Sequence, residues 1–178
     1  MYKRSFGPHK KFTDTNYDWF TIYANRDVLS RQPLYKTGYT LPGDARVSWR
    51  ITREDFELKD DDYESVQITQ EHRNALYSLD DIVLHLECSV CTRDIPMEGP
   101  VTVFQILDEI QTFYATSLSE EEYEILRPIY QSSWNHRMFP TFESFKNNVY
   151  NYGTTQGDHV YYEGLHENNG KVYVHFGS

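Results

Sequence analysis

His159-Val-Tyr-Tyr-Glu-Gly-Leu165 and Lys171-Val-Tyr-Val-His-Phe176 stand on either side of Glu167-Asn-Asn-Gly170, and this stretch decides the fold. Both flanks have the two-residue period of a strand. Asn169-Gly170 is the dipeptide that most favours a two-residue type I′ turn, because both of its central positions need positive φ. The reading is a C-terminal β-hairpin in which Asn168 faces Lys171, His166 faces Tyr173, Leu165 faces Val174 and Gly164 faces His175. Alternation then puts Tyr161, Glu163, Leu165, Val172, Val174 and Phe176 on a core-facing side. Val160, Tyr162, His166, Tyr173 and His175 fall on the other.

Working outward, residues 82–90 alternate Ile82, Leu84, Leu86, Cys88 and Val90 with more polar positions, the period of a strand with one buried face. Residues 46–51 do the same with Val47, Trp49 and Ile51, and residues 17–23 alternate aromatic and polar positions. Thr102 with Gln105 makes a capping box ahead of an apolar helical repeat, which predicts a helix over 103–115. Ser119 with Glu122 makes a second box, and that helix is expected to end or kink near Pro128. Thr141 caps a third, over 142–150, that buries Phe142, Phe145 and Val149. Thr69 caps a fourth, through residue 79, with Ala75, Leu76 and Leu79 as its apolar side. Together these elements predict an α+β fold: an antiparallel sheet with its C-terminal β-hairpin, packed on about three to four short helices.

A chain of 178 residues with 39% hydrophobic and 25% charged residues is long and apolar enough for one core. The expected division is a mobile basic N-terminal arm at residues 1–13, carrying Lys3, Arg4, Lys10 and Lys11, and a single α+β domain at 14–178. No run of about 18 apolar residues occurs, so no membrane span is expected, and the first residues lack the apolar core of a signal peptide. Two cysteines three apart cannot make a disulfide framework. An intracellular, reducing compartment is the expectation. Net charge is −10, which opposes nucleic acid except through the basic arm. Asp60, Asp61, Asp62 and Glu64 concentrate the acid. Their alternation is that of oxygen ligands, but a calcium loop needs glycine where Ser65 stands.

Cys88-Ser-Val-Cys91, with His85 three residues before it, is the one metal-like spacing. Thiolates so spaced can share a zinc when the chain turns between them; on a continuing strand they would face opposite ways. His166 and His175 fall diagonally on one hairpin face, close enough for both rings to reach one ion. As nucleophiles, Cys88 and Cys91 have the acidic sequence neighbours Glu87 and Asp94, which should raise a thiol's pKa. No phosphate-binding loop, dinucleotide fingerprint, His-Glu-x-x-His helix or nucleophile elbow occurs. With 15 Tyr, 10 Phe and 3 Trp, the chain is rich in side chains that suit protein interfaces.

Residues 101–114, Val101-Thr-Val-Phe-Gln-Ile-Leu-Asp-Glu-Ile-Gln-Thr-Phe-Tyr114, then Leu118-Ser-Glu-Glu-Glu122, and the stretch from Gly157-Asp-His-Val-Tyr to Tyr173-Val-His-Phe-Gly-Ser178 resemble small uncharacterised proteins of large double-stranded DNA viruses of amoebae, the marseillevirus group among them. The resemblance spans about the last 80 residues. It implies work in a host cytoplasm or a virion and brings no catalytic residues with it.

The functional expectation is a non-enzymatic, acidic, Tyr-rich protein that binds another protein or itself, with Tyr162, Tyr173, Asp60, Asp61 and Asp62 as interaction residues and no cofactor. The alternative is a zinc domain, structural or hydrolytic, using Cys88, Cys91 and His85 or the pair His166 and His175.

Overall fold

A computed structural model describes residues 39–52 and 55–178. The basic arm at 1–13 with its four cations and the expected strand at 17–23 lie outside the described residues. The fold is α+β, as expected. Strands β1 (Arg46–Ser48), β2 (Glu57–Lys59) and β3 (Ser65–Val66) form a small antiparallel sheet. Helix α1 (Gln70–Arg73) precedes β4 (Leu76–Ser78), which pairs with β7 (Val101–Thr102). The principal sheet holds β5 (Ile82–Glu87), β6 (Thr92–Met97), β8 (Tyr161–Asn168) and β9 (Lys171–Gly177) in the order β6-β5-β9-β8. Both of its hairpins are antiparallel, and they meet through a parallel pairing of β5 with β9. The helices α2 (Val103–Tyr114), α3 (Glu120–Tyr130), α4 (Ser133–Met138) and α5 (Phe142–Asn148) all lie in the long connection between the two hairpins.

The capping chemistry falls where the sequence puts it. Thr102 Oγ1 accepts from the Gln105 amide at 3.2 Å while Gln105 Oε1 accepts from the Thr102 amide at 2.7 Å. Ser119 and Glu122 reproduce the exchange at 3.2 and 2.8 Å. Helix α3 nevertheless runs through Pro128 to Tyr130. Only the last turn lies beyond the proline, and Leu126, Ile129 and Tyr130 are buried on one side of it, so packing holds the turn that the missing amide weakens.

The helix expected through residue 79 stops at Arg73. Asn74 caps it, and the chain turns extended because Leu76 and Ser78 pair with Thr102 and Val101; Leu76 and Leu79 stand in solvent instead of in the core. The core itself is Leu58, Leu84, Leu86, Ile106, Leu107, Ile110, Leu126, Phe145 and Leu165, each without solvent contact, and each buried side chain of this kind contributes about 1.5–3 kcal/mol. Aromatic rings fill much of the remainder: Phe113, Tyr114 and Phe176 in edge contacts near 5 Å, and Tyr130, Phe142, Phe139 and Phe145 in a second group.

The hairpin register is the one read from Asn169-Gly170, whose φ values are 52° and 76°. One irregularity reverses its faces part-way. Glu163 has no partner between Tyr162↔Phe176 and Gly164↔His175, and this bulge lets Tyr162 and Leu165 both point inward. Gly164 sits there at φ 143°, a conformation in which an L side chain is strained. Tyr161 and Glu163, expected in the core, are exposed in consequence.

Candidate functional site

Strand β5 ends at Glu87, and the chain crosses to β6 through Cys88-Ser89-Val90-Cys91, closed by the Cys88 amide donating to the Cys91 carbonyl at 2.9 Å. Because the strand does not continue, the two side chains project together, with their sulfurs 3.6 Å apart. Cys88 is buried and Cys91 half-buried. The turn is fastened from outside. Ser89 is buried, with its hydroxyl donating to the Thr155 carbonyl at 2.9 Å and its amide to Thr155 Oγ1 at 3.3 Å. The Glu87 carbonyl just before it accepts from the Tyr114 hydroxyl at 2.8 Å and from Gln156 Nε2 at 3.0 Å.

Tyr152 and Glu122 complete the site. The Tyr152 hydroxyl donates to Glu122 Oε1 at 2.7 Å, while Oε2 of the same carboxylate closes the α3 capping box. Cys91 is drawn down to about 7, first by the hydrogen bond from Cys88, with help from Tyr152 and the Arg93 charge, against burial and the Glu122 charge. The Cys88 thiol moves up, because it donates to Cys91 and because it is buried. Tyr152 has one proton and two acceptors, Glu122 and Cys91, and together with burial they raise its own pKa. The acidic sequence neighbours thus mislead. Asp94 carries its charge to Lys171 and His85 instead, and the thiols are set first by each other and by burial, then at Cys91 by Tyr152, Glu122 and Arg93.

His85 does not join the cysteines. Its Nδ1 lies 2.6 Å from Asp94 Oδ1, and its ring lies 4.9 Å from that of Tyr173. The sheet register lines up Asp94, His85, Tyr173 and His166 across all four strands. His166 stacks on Tyr173 at 5.1 Å, and His175 Nε2 is hydrogen-bonded to His166 Nδ1, the ring centres being 4.2 Å apart. The two histidines therefore meet as their diagonal placement implies. Burial moves both down, His175 to about 4 with the His166 charge contributing, and Lys171 and then His85 hold Asp94 below the usual carboxylate range. The zinc reading needs more than two ligands in one place. Among the described residues no three His, Cys, Asp or Glu side chains are gathered to hold a metal.

Of the expected interaction residues, Tyr162 is withdrawn by the Glu163 bulge: it is buried, and its hydroxyl pairs with that of Tyr39 at 2.8 Å. Tyr173 is half-buried between His85 and His166. Among the described residues the exposed tyrosines are Tyr63, Tyr150 and Tyr161. Asp60 shapes the β2–β3 turn, accepting from the amides of Asp62 and Glu64 at 3.0 and 2.9 Å. Asp61 pairs with Arg46 at 2.7 Å, and Asp62 is exposed. Sequence reasoning reached the cysteines but missed Ser89, Thr155 and Tyr152; Glu122 was visible only as a capping residue.

Comparison with known proteins returns no matching family model, no matching curated protein and no matching solved structure. No helix among the described residues is long and apolar enough to cross a membrane.

Proposed function

We propose that this chain acts by binding, as an acidic interaction domain that engages a basic protein. The observation that carries this reading is how the charge is distributed. The described residues hold 23 Asp and Glu against 9 Lys and Arg, a net charge of −14, more acidic than the whole chain. Eight of the nine described cations already have partners within the chain. Arg46, Lys59, Arg127, Lys146 and Lys171 pair with Asp61, Glu57, Glu124, Glu120 and Asp94 at 2.5–2.9 Å. Arg50, Arg73 and Arg93 lie over the rings of Tyr161, Phe104 and Phe113 at 5.4–5.9 Å. The surplus of carboxylates has no cationic counterpart among the described residues, and a field of one sign steers and selects a partner of the other. The resemblance to amoebal-virus proteins supports a host or virion protein as that partner.

The test is capture from the source cell on the immobilised full chain, beside an acidic control domain matched in size and charge. The expected result is a basic protein, retained at low salt and released as salt rises. Replacing Asp62 and Asp108, both exposed, together with lysine should weaken that retention without lowering the melting temperature. Retention no greater than the control's overturns the reading.

A further inference from the structure

From the Cys88–Cys91 turn we infer that the two cysteines form a reversible dithiol–disulfide site, oxidised by exchange with a small-molecule disulfide such as oxidised glutathione. Three features of the fold carry this. First, the residues are opposed across a tight hairpin connection, and the amide of one is bonded to the carbonyl of the other at 2.9 Å. They directly adjoin the last paired residues of the ladder, Glu87 and Thr92, and so stay within the Cα separation of about 4.4–6.8 Å that a disulfide spans. Sulfurs already 3.6 Å apart close to the bonded separation of about 2.05 Å by side-chain rotation, with no shift of backbone.

Second, the turn is held by contacts that involve neither sulfur. Ser89 is anchored to Thr155, and Tyr114 and Gln156 both hold the Glu87 carbonyl, so the thiols do not drift apart when reduced. Pre-positioning of this kind raises the effective concentration of the second thiol and favours the intramolecular bond over a lasting adduct. Third, the two sulfurs differ. Cys91 is half-buried and its thiolate accepts a hydrogen bond from the Cys88 thiol, which suits it to attack; Cys88 is buried, which suits it to resolve.

In the first step the Cys91 thiolate attacks one sulfur of the small disulfide. That S–S bond breaks, one small thiolate leaves, and a mixed disulfide remains on Cys91. In the second, Cys88 loses its proton to the solvent and attacks the Cys91 sulfur, which breaks the mixed bond and expels a second small thiolate. Two thiols of the chain are oxidised to one disulfide, and one small disulfide is reduced to two thiols.

The test uses the full chain, reduced and freed of reductant, then equilibrated natively with oxidised and reduced glutathione in graded ratios, acid-quenched, alkylated and weighed intact. The wild type should pass from dithiol to a species two hydrogens lighter, with both cysteines protected from alkylation and the glutathione adduct only transient. Cys88→Ser should keep glutathione on Cys91, and Cys91→Ser should react at least about tenfold more slowly, since only the buried thiol remains. A melting curve of the oxidised wild type needs no variant and should show a folded protein at least as stable as the reduced one. A lasting adduct on wild-type Cys91 overturns the inference. So does a native chain that stays reduced while a urea-unfolded control oxidises, an oxidised form that has lost its fold, or one equivalent of zinc that keeps both thiols unreactive.

Discussion

The two hairpins of the principal sheet are built alike and held differently. In the β8–β9 hairpin the turn is specified by its own backbone: Asn169 and Gly170 take positive φ, and a Cβ on Gly170 would meet nothing within 4 Å. In the β5–β6 hairpin neither Ser89 nor Val90 has turn chemistry of that kind. Ser89 at its tip is buried, and four hydrogen bonds, two donated by Ser89 to Thr155 and two received by the Glu87 carbonyl from Tyr114 and Gln156, hold it and the strand end leading into it. One turn is a local property of the chain and the other a property of the finished fold. The second is also where the two thiols are brought together, on a turn that distant residues hold in place.

The comparison can be broken by substitution. Leu84→Ala should have the largest effect, a loss of about 2–5 kcal/mol in denaturant unfolding, since β5 lies between the two hairpins and Leu84 is fully buried. It should lower the stability of both hairpins together, and hydrogen exchange that opened only one of them would contradict the single sheet. Ser89→Ala removes a buried donor and should cost about 1–3 kcal/mol, with faster exchange at 88–91 and little change at 166–173. Gly170→Ala should cost about 1 kcal/mol through φ 76° alone, with faster exchange confined to 168–172. If Gly170→Ala proved more damaging than Ser89→Ala, the contrast between local and anchored turns would fall.

Acid should act on the β8–β9 hairpin. His175 titrates at about 4 in the folded chain and near its ordinary value of about 6.5 when unfolded. Between those values the unfolded chain binds more protons, so stability is fully present above about pH 6.5 and is lost as pH falls toward 4. His175→Gln should flatten that decline in melting temperature against pH, and an unchanged slope would remove His175 as its cause. The smallest effect is expected at the other tip. Glu122→Gln keeps a capping side chain but removes a charge that opposes the Cys91 thiolate, so the midpoint of the alkylation-rate profile should move to lower pH.

What the sequence makes legible follows the same division. The β8–β9 register and the boxes at Thr102 and Ser119 rest on residues within a few positions of one another, and each was readable. The short extent of α1 was not, because Ala75-Leu-Tyr-Ser78 has helical spacing and becomes a strand only through Val101 and Thr102. Strand β6 carries Arg93, Asp94 and Pro96 at a sheet edge, so it lacks the alternation that marks a half-buried strand. The bulge at Glu163 depends on one glycine conformation, and missing it exchanged the faces of Tyr161 and Tyr162. At the cysteines the spacing was visible. The environment was not, since Tyr152 and Thr155 lie more than sixty positions away and Glu122 some thirty.

The parallel pairing of β5 with β9 sets an order on the chain's birth. Residues 82–97 can close their hairpin soon after leaving the ribosome, but Val83, Leu84 and His85 wait for Lys171, Val172 and Tyr173, nearly ninety residues later. Until then β5 offers an unpaired edge beside an apolar face, the form in which nascent chains meet chaperones or one another. Slow translation between the two hairpins would lengthen that exposure, and the sheet becomes whole only when β9, the latest of its four strands in the sequence, is inserted into its middle.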